Sequence, residues 1–147
     1  MRKQTRYAIM ARASVVTTTG TIFRCAYCGT ELPHHLVQLD HVTAKANGGR
    51  DAAANRVVAC SRCNEAKKDR SLESFARRLV ADGAWLAAAK AAPSGSTEAE
   101  VDAAAELLTR ALARAIVRRV RAEAARKPVA WLGRVWAVSY YQARRAA

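Results

Sequence analysis

No stretch of this chain's 147 residues approaches the ~20 consecutive apolar residues of a transmembrane helix, which excludes a helical span. The N-terminus begins basic, but Arg12 interrupts its apolar stretch and Thr17, Thr18 and Thr19 follow. No targeting segment is expected, and the expected location is cytoplasmic. Bulky core residues are scarce too. Aromatics make up 6 % of the chain, and much of its 51 % apolar content is alanine. An alanine-rich helix can be stable while burying little surface, so the core should be modest and in need of reinforcement. Internal repeats are absent, which removes solenoids and arrays.

Acids are the remaining shortage. Against 25 Lys and Arg stand 12 Asp and Glu, leaving a formal charge of +13. Residues 1–24 hold Arg2, Lys3, Arg6, Arg12 and Arg24 with no acid, and Glu123 is the single acid of residues 110–145. A chain this basic attracts polyanions. Basic membrane-surface helices usually carry bulky apolar anchors, whereas the long basic segment here is faced with Ala, Leu and Val. Nucleic acid is the expected partner, met mainly through its phosphate backbone, and no membrane is expected.

What the chain does hold is four cysteines in two pairs, Cys25-x-x-Cys28 and Cys60-x-x-Cys63. Each C-x-x-C turn presents two thiolates, and two such turns can surround one Zn²⁺ tetrahedrally. Such a site supplies folding free energy that a thin core lacks. Two disulfides, or a single iron in the same cage, are the rival readings. The separation of Cys28 from Cys60 exceeds short zinc-ribbon spacing, so something is built between the knuckles.

Residues 2–16 read as a short basic helix broken at Thr17–Gly20, and 21–23 as a strand entering the first knuckle. Gly29 closes that knuckle. Leu36 to Asp40 or His41 reads as a strand, 43–54 as a loop marked by Asn47-Gly48-Gly49, and 57–59 as a second strand. Ser61 can cap a helix through Lys68. A helix over 72–90 should bury Phe75, Leu79, Trp85 and Leu86. Ala92-Pro93-Ser94-Gly95-Ser96 is a linker, and Thr97-x-x-Glu100 is a capping box opening a helix that runs to about Lys127, where Pro128 stops it. Val101, Ala105, Leu108, Leu112 and Ile116 give that helix an apolar stripe. Arg110, Arg114, Arg118 and Arg121 give it a basic one. A last helix over 129–143 carries Trp131, Trp136, Tyr140 and Tyr141.

Between the knuckles stands LDHVTAKANGG, residues 39–49. A metal knuckle has no use for an adjacent acid and histidine, but a site that activates water does. The ordered set Cys25-x-x-Cys28-Gly29, Leu39-Asp40-His41-Val42, Asn47-Gly48-Gly49, Asn55 and Cys60-x-x-Cys63-Asn64-x-x-Lys67 resembles the HNH endonucleases of zinc-knuckle type, over roughly residues 22–75. Ala44 stands where such proteins often have proline, and Arg56 where an apolar residue is frequent.

The resemblance implies an α+β fold: a small ββα-metal core stapled by a four-cysteine zinc site, with N-terminal and extended C-terminal helical elements. With the readings of the flanking segments, the chain divides into a basic helical segment (1–20), a nuclease domain with knuckles (21–91), a linker (92–96) and a basic helical region (97–147). The resemblance also bears on activity. It implies hydrolysis of DNA phosphodiesters to 5′-phosphate and 3′-hydroxyl ends. His41 would be the general base, Asp40 and Asn64 ligands of a catalytic Mg²⁺ or Mn²⁺, and Asn55 the residue that holds the loop and orients His41. Cys25, Cys28, Cys60 and Cys63 would hold structural Zn²⁺.

The chemistry is consistent with that assignment. Histidine is the side chain with a base near neutrality, and oxygen ligands suit hard cations that bind partly through substrate phosphate. In an unbroken strand Asp40 and His41 point to opposite faces, so both line one site only if the strand ends or twists there. Lys67 and Lys68, a turn beyond Asn64 on the helix, and Arg110, Arg114, Arg118 and Arg121 are candidate phosphate contacts. His34 and His35 read as surface residues beside a turn. The alternatives are a non-catalytic zinc-ribbon binder of nucleic acid, or a nuclease subunit of a larger phage-packaging or restriction machine.

Overall fold

The computed structural model describes residues 3–18 and 20–126. It is an α+β fold with two small antiparallel sheets and four helices among the described residues. The expected helix over 129–143 lies outside them.

The first helix, α1 (Lys3–Arg12), ends sooner than its expected limit at residue 16. Residues Ser14–Thr17 form a strand instead, β1, which pairs with β2 (Gly20–Arg24) in a hairpin that sets Val15 opposite Ile22 and Val16 opposite Thr21. Two adjacent β-branched valines beside a ready partner strand override the helical pattern. A two-residue strand, β3 (Glu31–Leu32), adds to the other edge of β2. A one-turn 3₁₀ helix at His34–Leu36 precedes β4 (Gln38–His41), so this strand begins two residues later than expected.

β4 pairs with β5 (Arg56–Ala59), placing Asp40 opposite Val57 and His41 opposite Arg56. Helix α2 (Ser61–Lys67) packs on β4 and completes a ββα unit. Its cap is Cys60, whose sulfur accepts from the Cys63 amide, where Ser61 was expected to cap. The metal knuckle and the helix start are thus one piece of backbone.

Helices α3 (Leu72–Ala91) and α4 (Glu98–Ala125) form an antiparallel hairpin. Three cross-helix pairs descend α3 while climbing α4: Trp85 Nε1 to Asp102 at 2.9 Å, Arg77 to Glu106 at 2.8 Å, and Glu73 with Arg121. The capping box is present, with Thr97 and Glu100 each bonding the other's backbone. The buried stripe of α4 is Ala105, Thr109, Ala113, Ile116, Val120 and Ala124, turned from the expected one, and Leu112 is exposed. On α3, Leu72, Phe75, Ala76 and Ala84 are buried while Trp85 and Leu86 are half exposed. Small residues on both helices permit close approach, and bulky ones are displaced to the rim.

Ala113, Ile116, Val120 and Ala124 belong to the same buried cluster as Phe23, Tyr27, Val57, Val58 and Phe75. The basic helix is therefore part of the core. Two arginines fasten it. Arg119 donates to the carbonyls of Ala26 and Tyr27 in the first knuckle. Buried Arg12 donates to the carbonyls of Ala124 and Arg126 at the end of α4 and of Ala53 and Arg56 at the start of β5, all at 2.8–3.0 Å. Removing that guanidinium strands carbonyls away from water, so Arg12→Ala should cost about 3 kcal/mol or more. The check is the urea midpoint at unchanged m, with Arg12→Lys losing less.

Candidate active site and metal centre

The four cysteines converge. Their sulfurs all lie within 4.8 Å of one another, and Cys28 Sγ is 3.9 Å from Cys60 Sγ. A tetrahedral Zn²⁺ with Zn–S near 2.3 Å requires sulfurs about 3.8 Å apart, so the set fits one ion after small adjustment. All four are free thiols, not disulfides. Gly29 shapes the first turn. Its φ of +77° is open to glycine at little cost, and its amide bonds the Cys25 carbonyl at 2.9 Å. Crowded together, the thiols separate in acidity: the hydrogen bond from Cys63 draws Cys25 down to about 5, and the same interaction pushes Cys63 up. Sulfurs held this close favour a cation between them. Among the described residues, this is the one group of three or more His, Cys, Asp or Glu that could hold a metal.

Beside it lies the Asp-His pair. Asp40 is buried, and its Oδ2 accepts from Tyr27 Oη at 2.6 Å and faces Lys67 Nζ at 3.2 Å. Burial and the Asp40 charge push the Tyr27 hydroxyl up, which keeps it a neutral donor. Lys67 also donates to the His41 carbonyl at 2.7 Å. Asn64 lies one turn earlier on α2, and its Nδ2 donates to Gln38 Oε1 at 2.7 Å. Gln38 and Asp40 share a face of β4, so Asn64 and Asp40 flank the same strand–helix seam.

His41 faces elsewhere. β4 continues through residue 41, and the imidazole Nε2 lies 3.4 Å from Asp51 Oδ1, enclosed and outside hydrogen-bond geometry. Carboxylate and imidazole therefore diverge, one toward α2 and the knuckle, the other toward the loop. Asp51 is held by Arg56 and drawn down to about 2, mainly by that hydrogen bond.

Asn55 organises the loop. It accepts from the Thr43 amide at 2.8 Å and donates to the carbonyls of Thr43 and Arg50, both at 2.9 Å. Gly49 belongs to the same turn, since a Cβ there would lie 1.9 Å from the Thr43 carbonyl oxygen. Asn47-Gly48-Gly49 is thus a turn whose last residue must be glycine.

The candidate phosphate contacts divide. Lys67 is fully buried and turned inward, which corrects the expectation of a phosphate-facing side chain, because Asp40 and the His41 carbonyl draw its ammonium into the seam. Lys68 is exposed. Arg110, Arg114, Arg118 and Arg121 border an open groove of about 540 Å³ between α3 and α4, floored by Ala113 and Val117. Arg110 pairs with Glu106 and Arg121 with Glu73, while Arg114 and Arg118 make no ion pair among the described residues. His35 is exposed, and His34 stacks on Tyr7 with ring centroids 6.3 Å apart.

Sequence reasoning missed Tyr27, Gln38, Asp51 and Arg12. None carries a motif signal, although Tyr27 stands inside the first C-x-x-C pair.

Residues 25–80 match the protein family described as HNH endonuclease. This segment is similar to HNH endonucleases. Over 55 residues, 37 % of the chain, it is 36 % identical to the CRISPR-associated endonuclease Cas9 of Actinomyces naeslundii. The chain spans about 5 % of that protein's length. No solved structure matches the chain. The matched segment covers both knuckles, the Asp-His strand, Asn55 and α2, and it extends into α3. No helix among the described residues is long and apolar enough to cross a membrane.

Proposed function

We propose that the chain is a metal-dependent DNA endonuclease. The observation that carries this reading is the β4–β5–α2 unit beside the cysteine cluster, with Asp40 and Asn64 along its strand–helix seam and His41 and Asn55 toward the adjoining loop. The match of residues 25–80 to a nuclease family supports it.

In this reading His41 accepts the proton of an attacking water, and Asn55 fixes the backbone at Thr43 that carries the histidine forward. Asp40 and the Asn64 oxygen would hold Mg²⁺ or Mn²⁺. When bound, the cation offsets negative charge at the phosphoryl group and leaving oxygen. The donor set, oxygens alone, suits such an ion. Asn64 binds Gln38 through nitrogen, leaving its oxygen as donor, and Asp40 keeps Oδ1 beside an Oδ2 fixed by Tyr27 and Lys67. So few protein ligands suit a cation that takes the rest from water and phosphate. The cysteines would hold structural Zn²⁺. Lys68, Arg114 and Arg118, with Arg110 and Arg121 when their acid partners yield, meet the DNA backbone.

A second reading has its own support. The engagement of Asp40 by Lys67, and the cover over His41 Nε2, suit a zinc-braced nucleic-acid binder without catalysis. Supercoiled plasmid with Mg²⁺ or Mn²⁺, with and without EDTA, separates the two. Cation-dependent nicking or linearisation is expected. DNA binding without cutting under either metal would leave the binder.

A further inference from the structure

We infer that Asp51 is a positioning residue for His41: its carboxylate accepts the imidazole Nε2–H, leaving Nδ1 as the nitrogen that takes the proton. This rests on His41 being the base of the proposed reaction.

The geometry is specific. Asp51 Oδ1 is 3.4 Å from Nε2, and that nitrogen is enclosed with no other partner among the described residues. Nδ1 makes no hydrogen bond to a described residue and is not enclosed in this way. Which ring nitrogen carries the proton is set by the bond the other one makes. An enclosed Nε2 against an anion is therefore the protonated one, and at 3.4 Å the two atoms stand just beyond ordinary hydrogen-bond distance.

Asp51 is exposed but anchored. Arg56 grips Oδ1 through Nε at 2.9 Å and Nη2 at 2.5 Å, and Lys45 Nζ stands 3.6 Å from Oδ2. Arg56 lies directly opposite His41 across β4–β5, and Arg12 holds its carbonyl. The arginine and the histidine thus rest on one strand pair, and the acid reaches them from the loop that joins its strands. Asp51 also faces away from the Asp40–Asn64 seam, which argues against its being a ligand of the same cation.

The test compares single-turnover plasmid cleavage by the parent chain, Asp51→Asn, Asp51→Glu, His41→Ala and the double variant Asp51→Asn/His41→Ala, at matched zinc content. Asp51→Asn should lower the rate by ~10–100-fold, the range for carboxylates that orient metal-site histidines. DNA affinity and the half-saturating Mg²⁺ concentration should not move, and Asp51→Glu should restore part of the rate. The double variant should be no slower than His41→Ala, because both remove one function. Additive losses, a rate within about twofold of the parent, or a raised Mg²⁺ requirement would overturn the assignment. If His41→Ala itself cuts like the parent, the base assignment fails and this one with it. An inactive His41→Ala beside an unaffected Asp51→Asn removes Asp51 alone.

Discussion

His41→Ala is expected to eliminate plasmid cleavage, a loss of at least ~10²–10⁴-fold from the general base alone, with fold, zinc content and DNA affinity retained. The structure explains why the rest should survive. The His41 bond to Lys67 runs through its backbone carbonyl, and its pairing with Arg56 is a matter of backbone register, so neither depends on the imidazole. Asn55 clamps Thr43 and Arg50, also through backbone atoms. The checks are the plasmid assay with Mg²⁺ and Mn²⁺, the melting temperature and the dissociation constant for duplex DNA. Substantial cutting by the purified variant would take His41 out of the role.

Cys63→Ser is expected to unfold the domain rather than merely weaken a site. Cys63 is 1 % exposed, lies in the core cluster and shares its turn with the α2 cap. Structural Zn²⁺ in small domains contributes on the order of 10–16 kcal/mol of apparent binding free energy. Whole domains are stable by about 5–15 kcal/mol. The metal term is therefore large enough to decide folding here. The expected result is loss of the cooperative melting transition and of about one zinc per chain, which strong chelators should reproduce in the parent. A Cys63→Ser protein that melts like the parent would show that the aliphatic and aromatic core suffices alone.

Much of the site was legible because it is local. A C-x-x-C pair specifies its own turn, and Gly29 specifies how that turn closes. The capping box at Thr97 and Glu100 likewise lies within four residues. Asp40 and His41 could be placed at a strand end from the loop signals that follow. Their divergence was the open question, and the register with Val57 and Arg56 answered it. Direction of side chains was less legible. Trp85 and Leu86 read as core from hydrophobicity, yet small residues gave α3 and α4 a closer approach and left both at the rim.

The sequence by itself determined the two thiol turns, the order of strand, loop, strand and helix between them, and the basic character of α4. Each follows from residues close in the chain, where turn geometry and helical period govern. Only the tertiary structure decided which charges face inward. Lys67 looked like its neighbour Lys68 until a carbonyl and a carboxylate 26 and 27 residues away claimed its ammonium. Arg12 looked like any N-terminal cation until it met carbonyls up to 114 residues distant. The reason is physical: buried carbonyls and carboxylates must find donors, and which donor they find is fixed by packing, not by spacing along the chain.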